Sequence, residues 1–232
     1  MEQGNLPPAD KNGIVRALPP EISEENMKRL SKFGSFMVVY DFIQDHWVRP
    51  RIHKANSKRH HQIMHEAIAP VSEARVFDIA CGTGAAIPHF DKSNEYTGLD
   101  LSYSMLRQAV KKARNKGFRK YQLIEGNAEE LLFPAECFDF VLIDTSLHMI
   151  PRYQMAIGEA ARVLKKEGEL ICSCPTIGIS EEFDTNWAKI ATKRHLHSLK
   201  ESDLEAVCSA SGLSYNRIET NGGVLYFRAG KK

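Results

Sequence analysis

Four short stretches of the chain hold residues whose types and spacing could do chemistry. The first runs from Asp78 through Ile79-Ala80-Cys81 to Gly82, Thr83 and Gly84. Glycines at alternate positions after an apolar run let the backbone turn tightly, and let a ligand approach with no Cβ in the way. Peptide N–H groups opening the next helix would then face that ligand, as in a nucleotide-type site. The second stretch ends in Asp100, after Tyr96-Thr-Gly-Leu. A carboxylate at the end of a neighbouring strand can accept hydrogen bonds from both hydroxyls of a ribose. The third is Gly126-Asn127-Ala128, whose side-chain amide offers both a donor and an acceptor. The fourth is Asp144-Thr145-Ser146-Leu147-His148. An imidazole there suits proton transfer near neutrality, so His148 is a candidate general base or substrate-orienting group. Two readings of it stand: proton transfer, or packing beside the ligand. Asp144 is the second candidate.

The elements that must position these residues follow from periodicity. Arg75–Ile79 is a short apolar run with one acid, which predicts a buried strand leading through the glycine turn into a short helix. The third glycine of a dinucleotide fingerprint is absent: Ile87 stands there, followed by Pro88. Strands are predicted again at 96–100, 121–125, 137–144 and around Leu170. Between them lie amphipathic helices, one capped by Ser102 with Met105, Leu106, Ala109, Val110 and Ala113 inward, another with Ala156, Ile157, Ala160, Val163 and Leu164 inward. Ser198-x-x-Glu201 reads as a capping box, and Asn221-Gly222-Gly223 as the turn of a closing hairpin. Alternating strands and helices followed by a hairpin predict an α/β fold with an antiparallel edge.

The motifs resemble those of the class I S-adenosylmethionine-dependent methyltransferases. Asp78-Ile-Ala-Cys-Gly-Thr-Gly84 is similar to D-x-G-x-G-x-G, with Ala80 at the first glycine, a change expected to cost little if Ala80 stays extended. Gly98-Leu-Asp-Leu-Ser102 and Gly126-Asn127-Ala128-Glu-Glu-Leu131 resemble two further elements, Asn127 replacing the commoner aspartate. Phe133-Pro134, Phe138-Asp-Phe-Val141 and Arg162-Val-Leu-Lys165 add to the likeness, which covers residues 75–228. Tyr40-Asp-Phe-Ile-Gln44 and Ile52-His53-Lys54 resemble the region preceding the first motif in ubiquinone/menaquinone C-methyltransferases. The resemblance implies a Rossmann-like, doubly wound seven-stranded sheet and S-adenosylmethionine as cofactor. It places Asp78, Ala80, Gly82, Gly84, Asp100, Leu101, Asn127, Ala128, Asp144 and Thr145 around that cofactor, with Leu101 against the adenine face. Asp139 reads as structural.

The rest of the chain frames an acceptor. Residues 1–22, with Pro7, Pro8, Pro19 and Pro20, predict a disordered arm, and residues 23–70 an N-terminal helical cap. Residues 71–232 make the cofactor-binding methyltransferase domain. Met27, Leu30, Phe33, Phe36, Met37, Tyr40, Ile43 and Trp47 recur at helical spacing. Tyr40 and Trp47, with Phe183 and Trp187 of the 176–197 insert, are the expected walls of a pocket for a small aromatic or quinone-like molecule. Arg49–His65 holds five Lys/Arg, four His and no acid. It reads as a solvated face, with peripheral membrane contact through Arg49–Arg59 as the alternative. His61 and His65 are spaced to chelate a metal, but no third ligand is in view, so no metal is expected. A net charge of +2 gives no field for nucleic acid. Five cysteines without a C-x-x-C pair, and no apolar run long enough to span a bilayer, predict a cytoplasmic protein with structural thiols. An RNA or protein methyltransferase, or a non-catalytic cofactor-binding partner, remains the rival reading.

Overall fold

The computed structural model describes residues 6–18 and 39–231. Strand β2 (Arg75–Ile79) lies at the centre of a parallel sheet, with β3 (Glu95–Asp100) and then β4 (Lys120–Glu125) on one side. On the other side come β5 (Phe138–Asp144) and β6 (Leu164–Ile177). The antiparallel β9 (Val224–Lys231) and β8 (Leu213–Asn221) complete that edge. These seven strands are those expected, and they run in the order β4-β3-β2-β5-β6-β9-β8.

Helices cover both faces. α1 (Tyr40–Ile43) runs into a π-helical segment (Gln44–Ile52), and α2 (Ser57–Ile68) follows. α2 and α3 (Tyr103–Lys116) bury Ile63, Met64, Ile68, Leu106 and Ala109 on one face of the sheet. α4 (Tyr153–Val163) and α6 (Glu201–Ala210) bury Ala156, Ile157, Ala160 and Leu204 on the other. Between them lie α5 (Glu181–Arg194) and the two-residue β7 (Leu199–Lys200), paired to β6. The stripe predicted for α3 is the buried one, and Ser102 caps it by accepting from the Met105 N–H.

Three expectations need correction. The arm over residues 1–22 is structured at Ile14–Arg16, where β1 pairs in parallel with β4. Asp10 folds the preceding turn by accepting from the Asn12 and Ile14 N–H groups, which docks Ile14 and Val15 in the core despite the surrounding prolines. The glycine turn leads only to a 3-10 turn (Ile87–His89). Ser198 caps nothing: Leu199–Lys200 is extended, and the Glu201 carboxylate accepts from Tyr215 and Arg217. Met27, Leu30, Phe33, Phe36 and Met37 lie outside the described residues. Among the described residues no helix is long and apolar enough to cross a membrane, and all five cysteines are free and buried.

Candidate active site

The strand register brings the chemistry-bearing ends together. β2 is flanked by β3 and β5, the point where strand order reverses, and ligands of open α/β sheets bind there at the carboxyl ends. Beyond Ile79 the chain turns through Ala80 (φ +56°), Gly82 (φ +54°) and Gly84 (φ +74°). Ala80 is therefore not extended as expected. The turn must fold back so that the Cys81 N–H reaches the Leu99 carbonyl at 2.9 Å, and this drives Ala80 into the left-handed region. Gly84 is required as well: a Cβ there would lie 2.5 Å from Ile87 Cδ1 and 3.2 Å from the Ala109 backbone.

Asp100 ties this turn to β3. Its Oδ2 accepts from the Gly82 N–H at 2.9 Å and its Oδ1 from the Ser102 N–H at 2.7 Å. Burial, opposed by those two donors, pushes its carboxyl up to about 6. Asp78 lies beneath, only 2% exposed, accepting from the Tyr96 hydroxyl at 2.8 Å. Burial lifts its pKa to about 8, so Asp78 supports the turn from below. Asn127 and Ala128 follow β4 and are buried. The Asn127 oxygen accepts from the Glu129 N–H at 3.0 Å, so reading a base would fall to its NH2 group. Glu125 beside them is neutralised by Arg16 of β1 at 2.7 Å.

The N-terminal segment closes directly over the glycine turn. The Thr83 hydroxyl donates to Asp41 at 2.5 Å, and Lys112 Nζ donates to the same carboxylate. Tyr40 accepts from Gln44 Nε2 at 2.8 Å. Burial, reinforced by the neighbouring Asp100 charge, pushes its phenol up to about 12. Tyr40 thus stands on the Asp100 side of the site. Asp41 was not anticipated, although it adjoins Tyr40 in the segment that resembled relatives.

A second polar network sits at the end of β5. Asp144 accepts from the hydroxyls of Thr145 (2.8 Å) and Ser173 (2.5 Å). Thr145 is held left-handed (φ +49°), a strained state for a β-branched residue, by its N–H bond to the Ser173 carbonyl. His60 Nε2 lies 3.6 Å from Asp144 Oδ2. Arg49 donates to that same Nε2 at 3.0 Å, and arginine cannot accept, so the proton sits on Nδ1 and is given to Tyr226 Oη at 2.8 Å. Burial likewise favours a neutral His60. Burial alone would raise Asp144; the Arg49 charge and the Ser173 hydroxyl oppose it and hold the carboxyl below the usual range.

The basic stretch is only partly a solvated face: Arg51, Lys54, Lys58 and His65 are exposed, but other members turn inward. Arg49, His53 and His60 are buried, Arg49 pairs with Asp45, Lys54 with Glu182, and Arg59 with Glu219. Membrane contact through Arg49–Arg59 loses those three charges to intramolecular partners. His61 bonds Asp45 at 3.1 Å and faces His89 Nε2 at 3.4 Å. The sequence hid this because Ile52, Ala55, Ile63 and Met64 are scattered through the stretch and make no regular apolar stripe.

His148 occupies an aromatic cluster. It is 5% exposed, its ring centroid 5.3 Å from Trp187 and 6.1 Å from His53. Phe183 stacks on Trp187 at 5.6 Å, and both are fully buried by the face of α5. Trp47 is 49% exposed and makes no ring contact with this cluster. The hairpin turn seals it: Gly223 N–H donates to the His53 carbonyl, and a Cβ on Gly223 would lie 2.2 Å from Phe183. A separate cleft of about 490 Å³, lined by Pro7, Val15, Arg75, Glu95 and Lys120, opens at the amino ends of β2–β4, away from this chemistry.

Comparison with known proteins agrees with this geometry. Residues 77–172 match the methyltransferase domain family. Over 103 residues the chain is 38% identical to a demethylmenaquinone methyltransferase of Bacillus velezensis, covering 43% of this chain and 44% of that protein. It is 29% identical over 152 residues to the uncharacterized methyltransferase YcgJ of Bacillus subtilis, covering 64% and 60%. The YcgJ crystal structure superposes with a TM-score of 0.60 at 28% identity, over 69% of this chain and 71% of that one. A magnesium protoporphyrin IX methyltransferase from Synechocystis, at 18% identity over 90% of this chain and 100% of that one, shares the fold with a TM-score of 0.67. The chain spans less than half the length of the first curated relatives it matches. Domain match, relatives and strand order converge: residues 77–172 match a methyltransferase domain, and the chain is similar in sequence and fold to class I S-adenosylmethionine-dependent methyltransferases.

Proposed function

We propose that the protein transfers a methyl group from S-adenosylmethionine to a small aromatic, quinone-like acceptor. The observation that carries the cofactor half is Asp100, a buried carboxylate fixed by the Gly82 and Ser102 N–H groups. Each oxygen then keeps a lone pair for a ribose hydroxyl, while the bare Gly82–Gly84 bend admits the ligand beside it. S-adenosylmethionine, when bound, supplies an already activated sulfonium methyl. Asn127 and Ala128 serve the base, and Leu101 packs against it. Asp144, kept ionised, is a poor base and a good counter-charge for the cofactor's cationic groups. Proton removal from the acceptor falls to His148, inside the aromatic cluster. Alignment and exclusion of water by α5 do the rest. The acceptor class is supported by that cluster and by the demethylmenaquinone methyltransferases among the relatives.

Calorimetry with S-adenosylhomocysteine should show one site, weakened about tenfold or more by Asp100→Ala, the loss expected for charge-assisted hydrogen bonds. The affinity should also fall below pH 6 as Asp100 takes up its proton. An acceptor panel scored for S-adenosylhomocysteine release tests the other half. Turnover with RNA or protein alone would reject the small-molecule assignment.

A further inference from the structure

We propose that His53 binds the acceptor: its Nδ1 hydrogen-bonds a hydroxyl of an uncharged, planar aromatic molecule held in the His53–His148–Trp187 cluster. This rests on the small-aromatic reading above and names the residue that selects such a molecule.

His53 is 4% exposed, and its Nδ1 is buried with no hydrogen-bond partner. Buried polar atoms are nearly always paired, so an orphaned one calls for a ligand or another explanation. The ring packs edge-on against His148 and Trp187. Its backbone is pinned on both sides, the N–H donating to the Val48 carbonyl at 3.0 Å and the carbonyl accepting from Gly223 at 2.8 Å. On the loop that carries His148, Ser146 Oγ is likewise buried and unpartnered. Trp187, 5.7 Å from the His53 ring, supplies an apolar surface beside it. Aromatic walls with a few convergent hydrogen-bonding atoms are the chemistry of a hydroxylated ring.

The charge state narrows the class further. Burial first, then the nearby Arg49 and His60, pushes the His53 imidazole down to about 3. It therefore stays neutral and offers a donor and an acceptor without charge. α5, which carries Phe183 and Trp187, starts beyond Gly178 (φ +90°) and ends at His195 (φ +56°).

The test uses 1,4-dihydroxynaphthalene, kept reduced, titrated against Trp187 fluorescence in a Trp47→Phe background. S-adenosylhomocysteine affinity is measured alongside as a check on folding. Saturable quenching that weakens about tenfold or more in His53→Phe, with S-adenosylhomocysteine binding unchanged, is the expected result. His53→Asn, which keeps a polar atom near Nδ1, should retain affinity, and His53→Gln, whose amide sits near the Nε2 position, should lose it. Quenching that survives in His53→Phe, or equal affinity in the Asn and Gln variants, overturns the assignment of His53 alone. Absence of quenching in the Trp47→Phe protein while S-adenosylhomocysteine still binds overturns the aromatic-acceptor reading, and His53 with it.

Discussion

Ala80 holds a left-handed backbone (φ +56°) where the related motif has glycine. For an L-residue with a Cβ that state costs roughly 1–2 kcal/mol, partly offset by the extra chain entropy a glycine would lose on folding. Ala80→Gly should therefore stabilise the protein by up to about 1 kcal/mol, seen as a rise of about 2–4 °C in melting temperature. An unchanged or lower melting temperature would mean that the turn does not carry this strain. The residue scale is also where sequence reading was uneven. The placement of Asp100 at the end of one strand and Asn127 just after another was legible, because short apolar runs mark those strands. His53, His60 and Arg49 were not, because a run of basic residues looks the same whether its charges face water or reach inward to Asp144 and Tyr226.

Among the elements, the β8–β9 hairpin does more than close a sheet edge. Its turn was legible from Asn221-Gly222-Gly223, but its partners were not, since they lie far back in the chain. Asn221 exchanges hydrogen bonds with the Asn56 N–H and carbonyl, and a Cβ on Gly222 would lie 2.1 Å from the Lys54 carbonyl oxygen. Gly223 faces Phe183 at a distance no Cβ can occupy. Gly223→Ala should lower stability by about 1–3 kcal/mol, the range for overpacking a filled site, and should alter Trp187 fluorescence. S-adenosylhomocysteine affinity should be nearly unchanged, because the hairpin turn touches neither Gly82 nor Asp100 among the bonds described. A matching loss of nucleotide affinity would show that the two halves of the site are one mechanical unit. The helix expected after the glycine turn is a single 3-10 turn at Ile87–His89, a shortening that the sequence pattern did not show.

For the molecule as a whole, two buried carboxyls set a pH dependence. Asp78 (about 8) and Asp100 (about 6) keep protons in the folded state that the unfolded chain releases near 4. Between those limits the folded form binds more protons, so stability falls as pH rises from about 4 to about 8 and levels off beyond. Melting curves from pH 5 to pH 8.5 should show that decline, and Asp78→Asn should flatten most of it. A native protein whose melting temperature rises over this interval would contradict both assignments. The overall architecture was readable from alternating strands and helices, and only β1 and β7 were missed, each too short to show a period. One consequence follows from where the two halves of the pocket are encoded. Gly82, Gly84, Asp100 and Asn127 are all translated within a single span, whereas the opposite wall needs His53 to wait for Gly223. On the proposed reading, a ribosome finishes the cofactor-facing turn before His53 meets its Gly223 partner, so S-adenosylmethionine binding to the nascent chain would precede formation of the acceptor wall.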